Sequence, residues 1–182
     1  MTARPAFHNA YTLAAFEHAE QALCSPGAAL LDQLWTQAHQ ARKESTLDAG
    51  ALTSLTPERR AAAVLYPHAA ARWALFTDAA VAHAWGRYHH RGQHSSDVGS
   101  GTGVLITRLN DDVVQWQPLS AAGHAFLCLF ADGGTYAQAA AGIARDHPYD
   151  SPVTKVAMTL LAAGAFNRMS ITRIHRQFFR RA

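Results

Sequence analysis

Cysteine is scarce in this chain: Cys24 and Cys128 are the only two among 182 residues. They stand far apart, so neither a disulfide framework nor a Cys-x-x-Cys metal motif is available. Long apolar runs are missing too. No stretch of about 18 residues is apolar and free of charge, which excludes a membrane-spanning helix. Met1 to His8 lacks the charged-then-apolar order of a secretory signal, so the expected location is the cytoplasm. Catalytic signatures are also lacking. No Gly-x-Ser-x-Gly elbow occurs, and neither cysteine has a histidine and an acid set beside it. The run Gly99-Ser100-Gly101-Thr102-Gly103 has the glycines of a phosphate loop. It lacks the Gly-Lys-Ser/Thr ending and leads into a strand, so it reads as a linker. No catalytic residue is assigned.

What is present is a globular balance, with 49% apolar and 16% charged residues and abundant alanine favouring helix. The net charge of +3 is local. The last ten residues carry Arg173, Arg176, Arg180 and Arg181 and no acid. Sixteen basic residues less these four leaves 12 against 13 acids, so the body is near neutral and only the tail is cationic. That pattern argues against a fold built as a nucleic-acid surface.

Hydrophobic spacing predicts helices through the first half. Tyr11 to Leu23 is one. A second follows the break at Ser25-Pro26-Gly27, with Leu30, Leu31, Leu34 and Trp35 toward one side. A third opens at Thr56-Pro57-Glu58 and runs to about Tyr66-Pro67. Arg72 to Thr77 is a possible short strand, and Ala79 to His89 is helical. Arg91 to Gly103, rich in Gly, Ser, His and Asp, marks a boundary between a helical region over 1–98 and a second module over 99–182.

The second module is better punctuated. Val104, Ile106 and Thr107, then Val113 to Gln117, form a hairpin about Asn110-Asp111, stopped by Pro118. Ser120 caps a helix that ends at Asp132-Gly133-Gly134. Thr135 and Gln138 make a capping box for the next helix, which runs to about Asp146. Ser151-Pro152 starts a third, closed by Gly164, after which Ala165-Phe166 tuck back. The fold class expected is α+β and mainly helical: a helical region, then a winged-helix-like module with a small antiparallel sheet.

Three segments carry a resemblance. Gly103 to Leu109 continuing through Pro118-Leu119-Ser120, the turn Asp132-Gly133-Gly134-Thr135-Tyr136, and Leu160 to Phe166 resemble the leader-peptide recognition element of peptide-modifying enzymes, the small winged-helix modules related to PqqD. Upstream, Pro67-His68, Arg72 to Phe76 and Val81 to Trp85 are similar to the HvfC-type partner proteins, including those of methanobactin biosynthesis. The resemblance implies a non-catalytic subunit forming a heterodimer with a TIM-barrel, multinuclear-iron oxygenase. The pair would convert precursor-peptide cysteines to oxazolone and thioamide groups. Iron would belong to the barrel, and this chain would bind no cofactor itself.

An exposed sheet edge can accept an extended peptide as an added strand. The expected receiving edge is Val113, Val114, Gln115, Trp116 and Gln117, walled by Lys155, Met158 and Thr159 of the third helix. In the plainer alternative, Val113 and Trp116 only pack on the helices. His83 and Trp85, with Ile174 and Phe178 of the amphipathic tail, are assigned to the partner interface. His83 and His124 read as satisfied interior or interface histidines, with facing the partner's iron as the alternative.

Eleven histidines invite a metal reading. His90 and His94 have helical ligand spacing, but Arg91 stands where a zinc-protease glutamate would, and Gly92 and Ser95-Ser96 favour a loop. No metal site is assigned. The rival from another class is a winged-helix DNA-binding regulator. Against it, the helix after Ser151 offers Lys155 alone as a cation.

Overall fold

The computed structural model describes residues 25–89, 102–109 and 113–171. Among them the order is α1 (Pro26–Gln40), α2 (Ala49–Thr53), α3 (Pro57–Ala61), β1 (Ala63–Pro67), β2 (Arg72–Leu75), α4 (Ala79–His89), β3 (Gly103–Leu109), β4 (Val113–Leu119), α5 (Ala121–Ala131), α6 (Tyr136–Asp146), α7 (Val153–Ala162) and β5 (Phe166–Ile171). The fold is α+β and mainly helical, with small antiparallel sheets. No described helix is long and apolar enough to cross a membrane. The expected helix Tyr11 to Leu23 lies outside the described residues.

Local chemistry places most helix ends. Ser25 accepts the Ala28 N–H at 3.2 Å and Pro26 fills the first turn of α1. Ser120 accepts the Gly123 N–H at 3.0 Å to start α5. The capping box is complete: Thr135 Oγ1 accepts from Gln138 N, and Gln138 Oε1 accepts from Thr135 N. Gly133 and Gly164 take φ of 79° and 73°, the left-handed turn that ends α5 and α7. At Gly164 a Cβ would also meet Leu109 Cδ2 at 2.7 Å, the end of a side chain that can shift, so the positive φ is the stronger demand for glycine.

Two expected boundaries need correction. The helix opened by Thr56 ends at Ala61, and Ala63–Pro67 is strand β1. Its partner is β5, a strand where only a chain tucking back was expected. The pairing runs from Ala63 opposite Ile171 to Pro67 opposite Phe166, with a bulge between Tyr66 and Pro67. A local reading sees apolar residues after a good helix start, whereas the ladder partner lies far along the chain. At α7, Pro152 rather than Ser151 is the cap residue, and no side chain caps the helix.

The expected boundary at 98/99 is not a packing boundary. Strand β2 joins β3 and β4 in a three-stranded antiparallel sheet of order β2-β3-β4, and β1 joins β5 in a second sheet. Each sheet therefore combines strands from both sides of the linker. The segment crossing between the sheets includes His68, which is 2% exposed. Its Nδ1 accepts from Ala70 N at 3.0 Å, so Nε2 bears the proton and donates to Glu44 O at 3.0 Å.

Helices cover both faces of the three-stranded sheet. On one face Leu105 and Leu119 join Phe126, Phe130 and Leu160 of the helices and Leu65 and Phe166 of the second sheet. On the other, Val104, Ile106 and Val114 meet Leu31 of α1 and Trp85 of α4. This explains why β3 is buried at every position from Gly103 to Arg108. Each fully buried Leu or Ile there contributes about 1.5–3 kcal/mol.

Arg108 shares the parity of Val104 and Ile106 and so points at α1. Only 6% exposed, it donates to the carbonyls of His39 at 3.2 Å and of Ala41 and Arg42 at 2.8 Å each. These groups lie at and just beyond the C-terminal end of α1, where unpaired carbonyls and the helix dipole favour a cation. Arg72 adds a second tie, its Nε donating to Gln37 Oε1 at 3.0 Å. Replacing Arg108 with Met keeps the aliphatic volume and removes the donors. It should lower stability by about 3 kcal/mol. Urea unfolding checks this; a loss under about 1 kcal/mol would show that water replaces the guanidinium at no cost.

Candidate peptide-binding edge

Among the described residues, β4 pairs with β3 on one side and with no strand on the other. Which of its backbone groups face outward follows from the ladder. The Phe76 N–H donates to Thr102 O at 3.1 Å, continuing the register in which Ala74 faces Val104 and Arg72 faces Ile106. Hydrogen-bonded pairs alternate along an antiparallel ladder. Val104 and Ile106 therefore turn their backbone groups toward β2, while Gly103, Leu105, Thr107 and Leu109 turn theirs toward β4. Their partners Leu119, Gln117, Gln115 and Val113 bond inward. Val114, Trp116 and Pro118 face out. The proline agrees independently, because a strand tolerates Pro where its missing N–H would have pointed away from the ladder. On the outer edge of β4 the N–H and C=O of Val114 thus turn away from β3, and Pro118 ends the run of donors.

The side chains of this edge are unequal. Val113 is 66% exposed. Gln115 and Gln117 are half-buried, and Val114 is buried beneath α1 and α4. Trp116 lies against Trp85, with ring centroids 6.1 Å apart at 73°. Its seat exists because position 86 is glycine: a Cβ there would fall 2.2 Å from the Trp116 ring. The plainer alternative for Trp116 is therefore met in part, since its ring packs inward while its backbone faces out.

The expected wall is elsewhere. Lys155 and Thr159 are exposed and Met158 is half-buried on α7. The principal contacts of α7 are with α2, α5 and α6, whereas β4 contacts β3 and α1. The two sets of expected peptide-binding residues belong to different hydrophobic clusters. A wall for a strand added at β4 falls to α1 and α4 instead. Hairpin and helix were each legible, but not which face of the sheet α7 would cover.

The partner-interface assignment also changes. Trp85 is 1% exposed, so it belongs to the core. Its Nε1 donates to Asp32 Oδ1 at 2.7 Å, and the same oxygen is 3.2 Å from His89 Nε2. Trp35 completes this aromatic layer at 5.7 Å from Trp85 and 5.0 Å from His89. Asp32, which draws two side chains of α4 onto α1, gave no signal in the sequence beyond its place on a helix. His83 is half-buried. Ile174, Phe178, His90 and His94 lie outside the described residues. Among the described residues, no three His, Cys, Asp or Glu side chains gather as a metal-ligand group.

Cys128 is half-buried. It accepts from Trp73 Nε1 at 3.4 Å, and His124 stands one turn before it with Nδ1 at 3.7 Å. Burial lowers the pKa of His124 below its ordinary 6.5, favouring the neutral ring.

A polar cleft opens on the other sheet, beside the segment that follows α1. Leu47 N donates to Phe166 O at 2.8 Å and ties this segment to β5. Glu44 is the hub. Its carboxylate accepts from Ala69 N at 3.1 Å, from Asn167 Nδ2 at 2.6 Å and from the Arg42 guanidinium. Burial acts to raise its pKa, but the Ala69 N–H, the Asn167 amide and Arg42 together hold it below the ordinary 4.5.

A folded-state pKa below the unfolded 4.5 means that Glu44 contributes full stability above pH 4.5, lost as pH falls through its folded value. The stability gap between wild type and Glu44→Gln should shrink as pH drops from 6 toward about 3; a constant gap in urea midpoints would rule this out. Gly86→Ala, which on an open helix would gain about 1 kcal/mol, should instead cost about 1–3 kcal/mol by overpacking. It should also shift tryptophan fluorescence as Trp116 leaves its seat. Comparison with known proteins brings no match: no family model, no curated protein and no solved structure matches the chain.

Proposed function

We propose that this protein is a peptide-binding subunit that captures an extended leader peptide by strand addition at β4. The observation that carries this reading is the outer edge of β4, where the backbone N–H and C=O of Val114 turn away from β3, between an exposed Val113 and the stop at Pro118. Backbone pairing of this kind gives affinity with little dependence on peptide sequence, and flanking side chains set the register. The resemblance to HvfC-type partner proteins supplies the setting. The chain acts as the non-catalytic, winged-helix-like partner, akin to the methanobactin biosynthesis protein MbnC, in a heterodimer with a TIM-barrel iron oxygenase. The barrel holds the iron and converts precursor cysteines to oxazolone and thioamide groups in the cytoplasm. The rival reading, a winged-helix DNA-binding regulator, gains nothing from α7, where Lys155 is the one cationic side chain.

Two substitutions separate strand addition from general damage. Val114→Pro removes an outward N–H and leaves the ladder bonds intact, so the folded variant should bind leader peptide about tenfold more weakly. Gln115→Pro removes an inward N–H and should destabilise the hairpin by about 3 kcal/mol. Isothermal titration of the precursor's leader against each variant reads the first effect and urea unfolding the second. Unchanged affinity in folded Val114→Pro would refute the edge. Co-expression with the barrel subunit should yield an iron-containing 1:1 complex; a chain that ignores the barrel and shifts DNA at low salt would favour the regulator.

A further inference from the structure

We propose that the cleft between the segment after α1 and the β1–β5 sheet is a second binding site, one that recognises an acidic residue within a peptide. The cleft has a volume of about 440 Å³ and is lined by Arg42, Glu44, Tyr66, Asn167 and Arg168, among others. That volume lies within the ~300–1,000 Å³ range of small-ligand sites. It is distinct from β4 and does not rest on the strand-addition reading.

Three features define the chemistry of its ligand. First, two guanidiniums face one carboxylate, so the cleft is net cationic and suits an anion. Second, the Arg168 guanidinium stacks on the Tyr66 ring at 4.1 Å, and Tyr66 OH is 3.1 Å from Ser170 Oγ. Stacking uses the face of the guanidinium and holds its plane, which keeps the edge N–H groups available as a fork for a carboxylate. Third, Asn167 Oδ1 is buried and has no hydrogen-bond partner among the described residues. Its amide orientation is set, because Nδ2 donates to Glu44 at 2.6 Å. A buried acceptor left without a donor costs about 1–3 kcal/mol; because Oδ1 has almost no accessible surface, a ligand N–H recovers that cost only by displacing the groups that cover it. An acidic residue in a peptide supplies both groups: its side-chain carboxylate for the arginines and a backbone N–H for Asn167. A bare anion supplies only the first.

The test is fluorescence anisotropy of the full chain with a dye-labelled, terminally capped peptide of four glutamates, against the matching glutamine peptide. The glutamate peptide should bind and the glutamine peptide should not. Arg168→Gln, at an exposed position, should weaken binding about tenfold, while Arg168→Lys, which keeps the charge and loses the fork, should fall between. Val114→Pro should leave this binding unchanged, which separates the cleft from the β4 edge. Equal binding of the two peptides, or none by either, would overturn the proposal. So would undiminished binding by Arg168→Gln, which would place the acidic peptide on the arginine-rich tail. Displacement of the peptide by inorganic phosphate at equal concentration would reduce the site to an anion site and overturn the peptide assignment.

Discussion

Arg108 connects the parts of this protein that sequence order keeps apart. It sits on the central strand β3, points away from the α5–α7 face, and donates to three carbonyls at and beyond the end of α1. A buried guanidinium is costly unless its donors are satisfied, and a helix C-terminus is where unpaired acceptors gather. Each side therefore meets the other's need. The consequence reaches further than one contact. With α1 held there, Leu31 and Ala28 close over Val104 and Ile106, and the segment after α1 is delivered to β5, where Glu44 and Leu47 bind. The cleft exists because of that delivery.

The two sheets divide the binding chemistry. The three-stranded sheet is covered on both faces, so what it offers outward is backbone at an edge. Pro118 limits that edge to a short register, a common way of keeping an edge from pairing indiscriminately. The two-stranded sheet is covered on one side by α5 and α6, and its end carries arginines, an amide and a tyrosine. One surface suits a peptide backbone and the other a side chain. In the proposed reading, both surfaces serve to hold a peptide.

Glycine and tryptophan show how tightly the edge is tied to the core. Trp116 presents its backbone outward while its ring fills the space left by the missing side chain of Gly86. The ring then packs on Trp85, which Asp32 orients from α1. The β4 edge is thus joined through a continuous aromatic layer to the helix that Arg108 anchors.

The sequence by itself determined what depends on near neighbours. Thr56, Ser120 and the Thr135–Gln138 pair mark helix starts because a cap satisfies N–H groups within three residues of it. Gly133 and Gly164 mark helix ends because only the left-handed turn is needed to stop there. The β3–β4 hairpin was legible from its β-branched strands and intervening turn, and β2 was visible as a short possible strand. Only the tertiary structure decided the rest, because the deciding contacts span long stretches of chain. Ala63–Pro67 continues a good helix start and becomes a strand only because Phe166–Ile171 supplies its hydrogen bonds. Trp85 reads as an interface aromatic until α1 covers it. Lys155, Met158 and Thr159 share a helix face by their spacing, but it is the packing of α7 on α5, α6 and α2 that decides where that face points. The cleft, assembled from Arg42, Tyr66 and Arg168 in three distant segments, leaves no local pattern at all.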